Sequence, residues 1–162
     1  DWWRSFFSMD QSRETFEYSY RLYYGGKMIV TNSITPSENQ MKMLMDFPDD
    51  KPIRMVNLLK FKTIAQYEDQ RKSDLTGEEA YAIYSLEVIE HLAKVGGKII
   101  FSGRVKGLLL GEVEQLWDAV AIAEYPSRTA MIAMFTSQDY LRSHLHRIAG
   151  LEGQLNIITQ DE

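Results

Sequence analysis

Asp118 and Glu124 are two carboxylates six positions apart in an apolar run, 117–128, that carries no breaker before Pro126. Side chains on an extended strand alternate faces, so an even spacing puts both acids on one side, with Val120 and Ile122 between them. Trp117, Ala119, Ala121, Ala123 and Tyr125 share the other side. A carboxylate in a partly dry cleft can act as a general acid or base, and Glu124 and Asp118 are the catalytic candidates. Arg104 could hold an anionic group there, with Asn57 and Tyr81 orienting it. Tyr125, at the strand-to-helix turn, and Arg147, which could reach the same region, complete the binding candidates. A cleft holding arginine, tyrosine and carboxylate suits an organic acid and the movement of a proton. It is expected to be an enclosed cavity lined by at least three of Asn57, Tyr81, Arg104 and Glu124.

Each of these residues also has a structural reading. Buried charges pair for reasons of folding, so Arg104 could bridge Glu124 or Asp118. Asp118 could cap the backbone of the loop before it. Arg128 falls in a first helical turn, where the helix dipole disfavours positive charge, and a salt bridge to an acid is expected for it. His144 and His146 are two apart on a helix and point to different sides, so they form no helical metal pair. His91 with Glu87 is too sparse to name a metal, and no metal site is expected. His144 could serve as a base because histidine titrates near neutrality, although a surface or core role is the ordinary one. Neither a phosphate-binding glycine loop nor a nucleophile-elbow serine is present, and no cofactor is expected.

The elements that must position these groups begin with an aromatic extension over residues 1–34, read as a hairpin or helix. Phe16, Tyr18, Tyr20, Leu22 and Tyr24 alternate as in a strand, Gly25-Gly26 turns, and Met28–Thr31 could return. Thr35-Pro36-Ser37-Glu38 reads as a helix start with Thr35 as cap and Glu38 completing a capping box. Ile53–Lys62 is the first main strand, with Asn57 the odd polar member of the face Met55, Asn57, Leu59, Phe61. The stretch 64–75 is polar loop. Thr76-Gly77-Glu78-Glu79 caps a helix running to about Val95, stopped by Gly96-Gly97. A long strand is expected over 98–110, bending at Gly103 or Gly107, then a hairpin loop, then the strand 117–125. Helical pieces at 127–135 and 137–149 follow. A turn between Gly150 and Gly153 then leads into a last strand, 154–159.

From residue 53 the order is strand, helix, strand, strand, helix, strand. Two fused strand–helix–strand units make a ferredoxin-like α+β sandwich, assigned to residues 35–162. A chain of 162 residues is one domain with room for an appendage. The absence of cysteine excludes disulfides and thiolate chemistry and fits any compartment, with a slight lean to the cytoplasm. A net charge of −5 argues against a nucleic-acid partner. No apolar run approaches the roughly 20 residues of a membrane span.

Several segments together resemble a known family. These are Met55-Val56-Asn57-Leu58-Leu59-Lys60-Phe61-Lys62, Gly96-Gly97-Lys98 with Ser102-Gly103-Arg104-Val105, Trp117-Asp118 with Glu124-Tyr125-Pro126-Ser127-Arg128, and Arg147 with Gly150-Leu151-Glu152. In that order they resemble family 1330 of the domains of unknown function, a bacterial family among the dimeric α/β barrels. The resemblance covers roughly residues 36–162. It implies a homodimer in which two protomers pack sheet against sheet, closing a barrel with helices outside, and it implies no established reaction. The expectation is a small-molecule-binding protein, acting as a cofactor-free oxygenase or isomerase on a small organic acid or aromatic compound. The alternative is a non-catalytic ligand-binding or structural assembly module.

Overall fold

The computed structural model describes residues 28–161. The chain divides into two units at Thr31/Asn32, and the description below concerns the second. The alternating aromatic segment 16–24 and the Gly25-Gly26 turn lie outside the described residues. Met28–Thr31, expected as a returning strand, has no regular structure.

A short helix, α1 (Glu38–Met45), leads into β1 (Ile53–Phe61), α2 (Gly77–Lys94), β2 (Lys98–Arg104), β3 (Ala119–Tyr125), α3 (Arg128–Phe135), α4 (Gln138–Gly150) and β4 (Leu151–Thr159). The sheet is antiparallel with order β2-β3-β1-β4. Two strand–helix–strand units whose first strands lie side by side in the centre give this order, which is ferredoxin-like. The helices cover one face.

Local chemistry sets most of the boundaries. Thr76 and Glu79 form a reciprocal capping box at α2, and Gly96 follows that helix at φ +78, where a Cβ would be strained. Ser127 and Ser137 cap α3 and α4. The first helix starts two residues later than expected. Ser37, not Thr35, accepts from the backbone of Gln40, whose side chain returns the bond. The same Ser/Thr-x-x-Glu/Gln pattern fits both positions, and the box that forms puts Pro36 just outside the helix.

Three further departures have physical causes. β2 ends at Arg104 rather than continuing to 110, and the next fourteen residues form a loop. The irregularity falls at Ile100, not at a glycine: Ile99 pairs with Ala123 and Phe101 with Ile122. The extra residue puts Ile99 and Phe101 on opposite faces and turns Arg104 to the helix side. No turn separates α4 from β4. Gly150 is the last helical residue, and Leu151 is already extended and fully buried.

The core lies between the sheet and the helices. Ile53, Met55 and Leu59 of β1 and Ala123 and Tyr125 of β3 meet Tyr84, Val88 and Leu92 of α2, Met131 and Met134 of α3, and Tyr140 of α4. Helices α2 and α4 cross at near backbone contact where Gly77, Ala80, Ala149 and Gly150 face one another. Lys62 locks the crossing: its N–H donates to Gly150 O at 2.9 Å, and its carbonyl accepts from Gly77 N at 3.0 Å.

Candidate functional site

The alternation of β1, β3 and β4 divides the candidate residues between two faces. Asn57, Tyr125 and, from the helices, Tyr81 and Arg147 lie between sheet and helices. Asp118 and Glu124 share one side of β3, as their spacing requires, and that side is the face without helices.

On the helix side, polar groups form a connected chain. Asn57 Nδ2 donates to Ala121 O at 3.1 Å and to Met55 O at 3.0 Å. Its Oδ1 accepts from Gln154 Nε2 at 2.6 Å. Gln154 Oε1 accepts from Arg147 Nη2 at 2.6 Å, and Arg147 Nη1 donates to Ile34 O at 2.9 Å. Burying Asn57 and Gln154 is tolerable only because each is bonded in this way. Among the described residues, the Arg147 guanidinium is held by neutral oxygens alone. Arg54, Arg71, Arg104, Arg128 and Arg142 each have a carboxylate within 4.0 Å, whereas Arg147 has none among the described residues.

Aromatic rings line the same interior. Tyr81 lies 5.3 Å from both Phe61 and Tyr84, centroid to centroid, and Tyr84 and Tyr140 meet edge-on at 6.2 Å with their hydroxyls 3.3 Å apart. Burial pushes the Tyr81 phenol up to about 12 against the opposing pull of Arg147, and burial also raises Tyr84 and Tyr125. These phenols stay protonated at neutral pH and can donate to an anion.

Residues 140, 144 and 147 share one face of α4. His144 sits against Tyr140 with ring centroids 5.5 Å apart. Burial, helped by the Arg147 charge, lowers its pKa from 6.5 to about 4. The unfolded chain therefore binds this proton more readily than the folded one. Stability is expected to fall as the pH drops from about 6.5 toward about 4. Urea unfolding at pH 7 and pH 5 measures this, and His144→Gln is expected to lose less stability over that interval than the native chain. An equal loss in both would assign the dependence elsewhere.

The remaining candidates are engaged apart from this cluster. Glu124 pairs with Arg54 Nε at 3.0 Å and Lys98 Nζ at 3.3 Å. Asp118 accepts from Phe61 N at 2.8 Å and from Lys60 Nζ at 3.1 Å, tying the incoming loop to the end of β1. Arg104 pairs with Glu78 in the first turn of α2. Neither Glu124 nor Asp118 is its partner, and Glu124 cannot share a cavity with Asn57 and Tyr81, because the sheet stands between them. Arg128 has Asp50 at 3.8 Å and donates to the carbonyls of Leu44, Met45 and Phe47, closing the end of α1. Gln154 and Tyr140 were not among the sequence candidates. The visible signals were a glutamine on the inward alternation of the last strand and a tyrosine one helical turn before His144. Among the described residues no group of three or more His, Cys, Asp or Glu is placed to hold a metal, and no helix is long and apolar enough to cross a membrane.

The model of the family described as Domain of unknown function (DUF1330) matches residues 58–160. The chain belongs to this family. Among solved structures, the methylated RPA0582 protein is 32% identical with a TM-score of 0.74, covering 82% of this chain and 97% of its own. A second structure of RPA0582, a protein of unknown function from Rhodopseudomonas palustris, is 31% identical with a TM-score of 0.73, covering 82% and 98%. SnoaB, a cofactor-independent oxygenase from Streptomyces nogalater, is 12% identical with a TM-score of 0.45 over 69% of this chain and 94% of its own, too distant to speak to activity. Comparison with curated proteins finds no match. The DUF1330 match takes in Tyr81, Tyr125, Tyr140, His144, Arg147 and Gln154, and it starts one residue after Asn57.

Proposed function

We propose that this DUF1330 protein binds a small organic acid with an aromatic or apolar body between the sheet and helices α2 and α4. The observation that carries the reading is Arg147: a half-buried guanidinium with neutral oxygen partners among the described residues, near Tyr81 and Tyr84. A charge in such a place favours an anion that completes its pairing, because charge-assisted bonds strengthen away from bulk water. The rings of Tyr81 and Tyr84 suit a flat apolar body, and Asn57 acts through Gln154 to hold the guanidinium in place. Glu124 and Asp118 belong to the other face and have no part in this cleft.

The functional unit in this reading is a homodimer. Val56 and Leu58 of β1, Val120 and Ile122 of β3, Phe101 of β2 and Ile157 of β4 form an apolar patch on the face without helices, flanked by the ion pairs of Glu124 and Asp118. Phe101 is 52% exposed and Ile157 46% exposed in the single chain. Packing two such faces together covers them both.

The test is titration of benzoate and phenylpyruvate into the protein, followed by two-dimensional NMR. Saturable binding is expected, with shifts centred on Tyr81, Arg147 and Gln154. Arg147→Met keeps the apolar stem and removes the charge. It is expected to weaken binding about 10- to 100-fold, the worth of a charged hydrogen-bonded contact of about 1.5–3 kcal/mol. Equal binding by Arg147→Met, or no saturable binding by either acid, contradicts the reading.

A further inference from the structure

The three histidines have different surroundings. His91 is buried, and its Nε2 lies 2.8 Å from Ser143 Oγ. His146 Nδ1 lies 2.7 Å from Tyr67 Oη. His144 Nδ1 is buried with no hydrogen-bond partner among the described residues. A buried polar atom left in this state is costly and needs a reason. Its neighbours are Tyr140 on one side and Arg147 one turn along the same helix face. Across from these stand Tyr84 and Tyr81 of α2.

We propose that His144 is the proton acceptor of this site, taking a proton from an acidic C–H or O–H of the anion held at Arg147. The inference rests on the binding reading above and adds a reaction to it. In the step, the C–H or O–H bond of the ligand breaks and an N–H bond forms at Nδ1. The electron pair left behind stays on the ligand, as an enolate or alkoxide oxygen facing the Arg147 guanidinium and the tyrosine hydroxyls. No oxidant or reductant enters. The ring starts neutral, with its proton on Nε2, so that Nδ1 offers its lone pair. An imidazolium beside an unoccupied Arg147 would be two cations in a partly dry interior. With the anion bound, the second positive charge is offset, so proton transfer depends on occupancy. Glu124 and Asp118 cannot take this role, since both face away from the helices and are already paired.

Phenylpyruvate supplies the test, because it joins a carboxylate and an aromatic body to an acidic benzylic C–H. Its benzylic protons are followed by NMR in deuterated buffer near neutral pH. The native protein is expected to speed their exchange over buffer. His144→Gln is expected to lose at least about tenfold of that acceleration while binding phenylpyruvate within about threefold of the native affinity. A second measurement needs no variant: benzoate is expected to raise the pKa of the His144 ring, followed through its Cε1 proton, and to leave His146 unmoved. Exchange by His144→Gln at the native rate, binding of either acid without any acceleration of phenylpyruvate exchange, or a His144 titration indifferent to benzoate overturns the inference and leaves the binding reading standing. If neither acid binds, both fall.

Discussion

Gly150→Ala is expected to lower the thermal midpoint by at least about 10 °C, through a loss of at least about 3 kcal/mol. A Cβ at position 150 would stand 2.3 Å from Gly77 O and 2.9 Å from Tyr81 N. Both are backbone atoms, so no side chain can swing away to make room. The opposite substitution meets the same wall, since a Cβ on Gly77 would lie 2.3 Å from Lys62 O and 2.5 Å from Gly150 O. Relief requires α2 and α4 to separate. That would stretch the two Lys62 backbone bonds and open the fully buried Ala80 and Ala149. It would also move Tyr81 and Arg147 apart, since they sit on the two separating helices. Thermal unfolding followed by circular dichroism measures this, and a midpoint within about 3 °C of native would show the crossing to be looser than described.

The second large effect concerns association. Ile122→Glu is expected to convert dimers into folded monomers, raising the dissociation constant at least about 1,000-fold. Ile122 sits in the middle of the open face, beside Val56 on β1 and Phe101 on β2. In a lone chain it is only half-buried, so a carboxylate there keeps access to water and costs the fold little. Against a second sheet the same carboxylate loses its water and gains no assigned partner, at a cost of several kcal/mol. Sedimentation velocity at micromolar concentration decides the matter. The native chain is expected at twice its 18.8 kDa mass and the variant at 18.8 kDa with an unchanged helical spectrum. A native monomer, or a variant that remains dimeric, removes the homodimer from the account.

The fold was legible in the sequence because its signals are local. The Thr76–Glu79 box, the serines before α3 and α4, and the glycine pair after α2 act through their nearest neighbours in the chain. Period-two alternation likewise put Asp118 and Glu124 on one side of β3 and Tyr125 on the other. Alternation does not say which side the helices cover, and that single unknown joined the two carboxylates to Asn57 and Tyr81. The irregularity at Ile100 was hidden for a related reason. Gly103 and Gly107 are the residues that advertise a bend, whereas Ile100 carries a strand-forming side chain and is displaced by pairing with β3. Gln154 was missed because its role is non-local. It acquires meaning only when β4 pairs with β1 and brings it between Asn57 and Arg147. His144 was legible as a possible base only because histidine titrates near neutrality; what sets it apart is an Nδ1 with no partner among the described residues, which sequence cannot display.

The most direct test of the proposed binding site at Arg147 is a crystal structure of the native protein soaked with phenylpyruvate. The carboxylate is expected within hydrogen-bonding distance of Arg147, with the ring against Tyr81 and Tyr84 on the helix side of the sheet. Density for the acid beside Glu124 and Arg54 on the opposite face, or an interior at Arg147 filled by the protein's own side chains, would contradict the account.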